Sequence, residues 1–324
     1  MSELRPSRRF VILGAGAVGS GFGVMLGAAG HEVRMIGRAA HMDAISRNGL
    51  RIDGLWGEHF TRNVRAETVL PMDAAPDYTL ITCKAYDTES VVAGLPPDWP
   101  GQVVVLQNGF GNQQIAADRF GPARTMAGMV IIGFAIPEPG RVTVTVSADS
   151  VKLGRLGGGR DAAVEELAAL FRAVGIPCDA ADDVSKYLWA KVLYNSSLNP
   201  LGAMLDTHYG ALLQPDSWRI IERVVHEAFD AFAPAGVTTF WNSAEGYLEY
   251  LRGYQVPATF DHRPSMLVDI RKGRPTEIDF INGAIARLGE RHAIPTPVNW
   301  TLVRMIKALE SKAAGGGKPQ TRWQ

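Results

Sequence analysis

Two groups of residues have types and spacings that could do chemistry. The first is Gly14, Gly16 and Gly19, with Ala15, Ala17 and Val18 between them, a GxGxxG pattern directly after the apolar run RFVIL. The first glycine permits a tight turn, the second lets backbone approach a pyrophosphate, and the third allows close packing of helix on strand. The phosphates then sit on a helix N-terminus, where free N–H groups and the dipole favour negative charge. The competing reading is a purely structural glycine turn. The second group is Lys191, Asn195 and Asn199 in YLWAKVLYNSSLNPLGAML, residues 187–205. At about 100° per residue the three span about 80° of a helix, so they share one face. Leu188, Val192, Leu193, Leu198 and Leu201 cover much of the rest. Burying an ammonium and two amides without partners is costly, so the stripe should face water or a polar cleft, and a cleft between two domains fits best. The bland alternative is a snorkelling surface lysine beside two solvated amides. Pro200 follows Asn199 and removes a helix hydrogen bond there.

Further candidates stand at the ends of apolar runs. An NAD site usually places a carboxylate about 20 residues after the glycines, on the ribose 2′-hydroxyl; this chain has Gly37-Arg38 at the end of the second run. A guanidinium can bind the 2′-phosphate of NADP in a forked arrangement, so Arg38 is the expected NADP determinant. Lys84 follows YTLITC and Asn108 follows VVVLQ, where open α/β folds place ligands, although each is also an ordinary loop residue. Ser265 and Asp269 stand one helical turn apart, Gly273 stops that helix, and Thr276 with Asp279 has the form of a capping box. Glu277 would then fall in the first turn of the next helix, favoured by its dipole.

The elements that must position these residues are legible in outline. With 324 residues, 46% hydrophobic and 20% charged, the chain is expected to be a soluble, cytoplasmic globular protein of two domains. Thirty-three basic and 33 acidic side chains cancel, which removes the broad attraction of a nucleic-acid or anionic-membrane binder. Cys83 and Cys178 have no metal-ligand or CxxC spacing, so no metal is expected. No run reaches the roughly 18 apolar residues of a membrane span. Residues 9–38 read as a βαβ unit, 78–84 and 102–109 as further strands of a parallel sheet, and 126–155 as β-branched strands extending that sheet, with an amphipathic helix at 159–175 and a last strand at 176–180. Helical periodicity then dominates 183–205, 215–235, 242–252, 262–272, 276–291 and 297–312. The expected fold is α/β: a Rossmann-type dinucleotide-binding domain over 1–180 and an all-helical domain over 181–324, ending from about 313 in a mobile tail.

Together, GAGAVG at 14–19, CKAYDT at 83–88, QNG at 107–109, KVLYNSSLNPLGA at 191–203 and SMLVDIRKGRPTEIDFINGAI at 265–285 resemble the ketopantoate reductase family. The matches are ordered and cover most of the chain, and the lysine-helix and TEID segments are more specific than the glycines. The resemblance implies that NADPH reduces the C2 ketone of 2-dehydropantoate to (R)-pantoate, for pantothenate and coenzyme A. It makes Lys191 the general acid, Asn195 and Asn199 the holders of substrate hydroxyl and carbonyl groups, and Ser265 a donor to the substrate carboxylate. Glu277 would pair with Lys191 or with bound ligand, Lys84 and Asn108 would contact cofactor or the edge of the substrate, and Asp269 would line the substrate site. The expected partners are a small 2-oxo acid and, where the chain pairs, a second copy through the helical domain, with no nucleic acid and no membrane. Alternatives are a reductase of another small 2-oxo acid, a hydroxyacid or polyol-phosphate dehydrogenase, or an NADP-sensing protein without catalysis. The aromatic-rich segment 236–263 maps onto no particular ligand. Replacing Arg38 with Ala should raise the Michaelis constant for NADPH and leave that for NADH nearly unchanged; an unaltered NADPH preference would remove Arg38 from this role.

Overall fold

The computed structural model describes residues 7–313 and 315. Two compact units, Met1–Tyr187 and Leu188–Gln324, divide the chain.

In the first unit the elements run β1 (Arg9–Leu13), α1 (Ala17–Ala28), β2 (Glu32–Ile36), α2 (Ala39–Asn48), β3 (Leu50–Gly54), β4 (His59–Thr61), β5 (Val64–Glu67), β6 (Tyr78–Ile81), α3 (Thr88–Ala93), β7 (Gln102–Val105), α4 (Asn112–Phe120), β8 (Thr125–Met129), β9 (Ile132–Glu138), β10 (Arg141–Ser147), β11 (Val151–Gly154), α5 (Ala162–Ala173) and β12 (Cys178–Ala180). Eight strands form one sheet in the order β12-β11-β8-β7-β6-β1-β2-β5. All its pairings are parallel except β11 with β8. The unbroken apolar runs follow from burial on both faces. Phe10 and Ile12 join one core with Phe22 and Phe171, while Val11 and Leu13 join another with Trp99 and Phe120.

The middle of this unit differs from the expectation that residues 126–155 extend the first sheet. Only β8 and β11 do so; β9 and β10 join β3 and β4 in a separate sheet of order β4-β3-β10-β9. The reason lies in their one-sided alternation. Val142 and Val144 are buried whereas most of their neighbours on β10 are not, so this hairpin has one apolar face to cover. It covers α1, whose glycines leave a shallow surface: a Cβ on Gly21 would lie 2.4 Å from the Phe134 ring. Buried from Gly19 to Gly27, α1 behaves as a core helix, apolar on all sides.

The second unit is all-helical. It contains most of α6 (Val184–Met204), then α7 (Pro215–Ala235), α8 (Ala244–Tyr250), α9 (Val256–Ala258), α10 (Ser265–Arg271), α11 (Asn282–Arg291) and α12 (Pro297–Ala313). Met266, Ile278, Ile281, Val303 and Ile306 form part of its core. The buried Glu227 carboxylate accepts from Val298 N at 2.8 Å, Asn299 N at 2.9 Å and Asn299 Nδ2 at 2.8 Å. It thus satisfies the otherwise orphaned N–H groups that begin α12.

Three boundaries depart from the sequence reading. Residues 276–291 are not one helix: a 3-10 turn, Ile278–Phe280, precedes α11. Thr276 does not form a capping box with Asp279, because its hydroxyl donates to Glu310 Oε1 at 2.6 Å and accepts from Ile278 N at 3.2 Å. The helix expected at 242–252 continues from α8 through a π-helical turn, Leu251–Gln255, into α9. At the other end α12 runs to Ala313, one residue past the expected helix end, and the tail beyond it lies outside the described residues apart from Gly315. Among the described residues no helix is long and apolar enough to cross a membrane.

Candidate active site

In the first unit the glycines after β1 meet three separate demands. Gly14 has φ +97, a left-handed conformation that L side chains rarely adopt, and a Cβ there would lie 2.3 Å from Cys83 N. Its N–H and that of Ala15 donate to Ile36 O at 3.0 and 2.8 Å, tying the turn to the end of β2. At Gly16 an added Cβ would meet nothing nearer than Gly14 O at 3.9 Å, so the backbone is open to an approaching group. At Gly19 it would strike Thr82 Oγ1 at 2.5 Å and Ile12 Cγ2 at 2.9 Å, which fixes how closely α1 lies on β1 and β6. Ala15 is buried, and Ala17 and Val18 are half-buried in the first turn of α1. That helix has no side-chain cap and no acidic residue in its first turn, which keeps its N-terminal field positive.

The chain passes from β1 to β2 on one side and later to β6 on the other, so this turn lies at the reversal of strand order, where doubly wound sheets bind ligands. Lys84 follows β6 as a half-buried residue at the start of the 3-10 turn Ala85–Asp87. Asn108 follows β7, with its carbonyl accepting from Asn112 Nδ2 at 2.9 Å. Between them Gln107 Nε2 donates to Cys83 O at 2.8 Å and Thr88 Oγ1 at 2.7 Å, locking the two loops together. Arg38 is exposed at the N-cap of α2, just past β2.

In the second unit α6 carries the polar stripe. Lys191 is half-buried, and burial lowers its ammonium to about 8, while the Glu277 carboxylate acts in the opposite sense. Glu277 is itself buried and precedes the 3-10 turn, so it is not in the first turn of α11 as the sequence suggested. Its charge acts on Lys191 instead of on a helix dipole. Asn195 and Asn199 are 9% and 3% exposed, too buried for solvated surface amides. Asn199 Oδ1 accepts a hydrogen bond from the Tyr209 hydroxyl. Ser196 and Ser197 return their hydroxyls to Leu193 O at 3.1 and 2.7 Å, so they use up their own polarity on the helix. Ser265 is exposed at the first position of α10, and Asp269 is buried one turn later.

The family model described as "Ketopantoate reductase PanE/ApbA" matches residues 10–158, and its C-terminal counterpart matches 183–310. The chain belongs to the ketopantoate reductase family. A 2-dehydropantoate 2-reductase of Aquifex aeolicus is 36% identical over 307 residues, 93% of this chain and 97% of that protein. Among solved structures, a PanE/ApbA family ketopantoate reductase from Ralstonia eutropha JMP134 superposes with a TM-score of 0.84 at 28% identity, covering 94% of this chain and 99% of that one. A D-mandelate dehydrogenase in a ternary structure with NADH and anilino(oxo)acetate gives 0.83 at 27% identity, with the same coverages.

The hydrogen bonds add supporting residues to the candidate site. Gln107 and Thr82 brace the glycine turn and its neighbours, and Tyr209 holds Asn199. Gln107 adjoins Asn108 and could have been found by that adjacency; Tyr209 had no local signal, because its contact returns across a turn. Replacing Glu277 with Gln removes the charge that raises the Lys191 pKa. The titration midpoint of Lys191, followed by NMR on isotopically methylated lysines, should therefore move below about 8; an unmoved midpoint would show that Glu277 does not set it.

Proposed function

We propose that the chain is an NADPH-dependent reductase that converts the C2 ketone of 2-dehydropantoate to (R)-pantoate, the reduction that serves pantothenate and coenzyme A synthesis. The observation that carries this reading is the half-buried Lys191 ammonium, lowered to about 8 and coupled to buried Glu277. An acid catalyst works best when its pKa lies near the working pH, and an unperturbed lysine at 10.5 would release its proton reluctantly. Lys191 polarises the ketone oxygen and transfers its proton as the alkoxide forms. Glu277 keeps enough of the lysine protonated to do so. Asn195 and Asn199 hold substrate oxygens, Ser265 donates to the carboxylate, and Asp269 lines the same site.

NADPH supplies the hydride when bound. The glycine turn fits a dinucleotide: Gly16 is open, Gly14 and Gly19 leave no room for side chains, and the first turn of α1 has no competing cap. Gly14–Gly19 hold the pyrophosphate, exposed Arg38 binds the 2′-phosphate, and Lys84 and Asn108 contact the cofactor or substrate edge. Relatives named 2-dehydropantoate 2-reductase, spanning over nine-tenths of this chain, support the substrate.

A second reading keeps the chemistry and changes the acid. The D-mandelate dehydrogenase neighbour, with NADH and anilino(oxo)acetate, favours a bulkier 2-oxo acid as the alternative. A phosphate-bearing substrate is less favoured, since Arg263 and Arg271 share one carboxylate, Asp206, at an exposed position. Lys191→Ala should lower kcat by roughly 10²- to 10⁴-fold while the dissociation constant for NADPH stays within about threefold. Near-normal turnover in that variant would end the assignment of the acid.

A further inference from the structure

Tyr209 is 1% exposed, lies in a 3-10 turn, Tyr209–Leu213, and gives its hydroxyl proton to Asn199 Oδ1. A phenol has one proton, and among the described residues this one has no other acceptor. A carboxamide can rotate by half a turn and exchange its donor and acceptor ends. If Asn199 did so, the buried Tyr209 proton would be left without an acceptor, a penalty larger than the net gain of an ordinary hydrogen bond. The tyrosine therefore selects one orientation. In that orientation Asn199 Nδ2 finds no acceptor among the described residues, yet it is not one of their sealed orphan atoms.

Tyr209 is itself held from three directions. Its N–H donates to His262 O at 3.0 Å, and Gly210 N donates to Phe260 O at 2.8 Å, so its backbone is strapped to the end of the aromatic-rich segment. His262 lies against its ring at 5.1 Å, and Tyr194 of α6 meets it edge-on at 5.6 Å. Tyr194 is fastened in turn by its hydroxyl to Thr259 Oγ1 at 2.9 Å. Residues 259–262 thus act on the stripe through the tyrosine.

We infer that Tyr209 is a positioning residue: it fixes the Asn199 carboxamide so that Nδ2, a hydrogen-bond donor, is what the stripe offers to substrate. The inference rests on the reductase reading above and deepens it. With Lys191 and Asn199 both presenting N–H groups, the stripe selects a substrate whose facing groups accept hydrogen bonds, as the ketone and carboxylate oxygens of a 2-oxo acid do.

The test is steady-state kinetics of five proteins, the wild type, three single variants and one double variant, with 2-dehydropantoate or with whichever 2-oxo acid the wild type reduces. Tyr209→Phe should raise KM for the 2-oxo acid about tenfold, with a smaller effect on kcat and none on KM for NADPH. In an Asn199→Ala background the same change should add less than about twofold, since a residue acting only through Asn199 has nothing left to position. Asn199→Asp keeps the acceptor for Tyr209 but loses the N–H, and should raise KM at least as much as Asn199→Ala. A silent Tyr209→Phe, a full effect in the Asn199→Ala background, or an Asn199→Asp enzyme with wild-type KM overturns the inference alone. Should Tyr209→Phe fail to fold, wild-type KM in Asn199→Asp still overturns the inference, because the donor that Tyr209 is inferred to present would then play no part. A wild type that reduces no 2-oxo acid overturns the reading and the inference together.

Discussion

The balance on Lys191 is the interaction from which the rest of the account follows. Taking an ammonium out of water favours the neutral amine, and a nearby carboxylate favours the cation. Here burial wins: the shift from 10.5 to about 8 means that, relative to a solvated lysine, the cation is disfavoured by roughly 3 kcal/mol. Glu277 keeps that preference from growing. The group therefore sits near the pH where a proton is both held and released. That balance needs Glu277 buried and unable to swing away, and the departure from helical geometry at 276–281 serves this end. Thr276 is pinned to Glu310 on α12, the 3-10 turn follows, and Glu277 is caught between.

The first unit meets a different constraint, close approach of backbone. The glycine turn is crowded on two sides and open on the third, and each condition belongs to one glycine. Thr82 donates to Gly14 O at 2.9 Å and Gln107 bridges the loops after β6 and β7. The turn is thus built from strand ends that are distant in sequence and adjacent in the sheet.

Legibility tracked how local each determinant is. The βαβ unit, with its glycines and continuous apolar strands, could be read from the chain because both signals are written within some thirty residues. The helical character of residues 184–313 was equally plain from periodicity. The separate sheet of β9 and β10 was not, because an alternating hairpin does not say which surface it will cover; the glycines of α1 decided that. Glu277 looked like a good helix-starting residue until Thr276 proved to be bonded to α12. Lys191, Asn195 and Asn199 stood out by spacing alone, but nothing in the sequence tied Asn199 to Tyr209, since the bond depends on the path of the chain between α6 and α7 and on the strap from residues 260–262.

Ketopantoate reductase chemistry on this chain requires a 2-oxo acid and a reduced nicotinamide to be consumed together. The most direct measurement follows NADPH absorbance in the presence of wild-type protein and 2-dehydropantoate, beside smaller and larger 2-oxo acids. The account predicts substrate-dependent loss of NADPH, fastest with 2-dehydropantoate, or with a bulkier 2-oxo acid if the second reading holds. NADPH absorbance that is unaffected by every 2-oxo acid tried would contradict it.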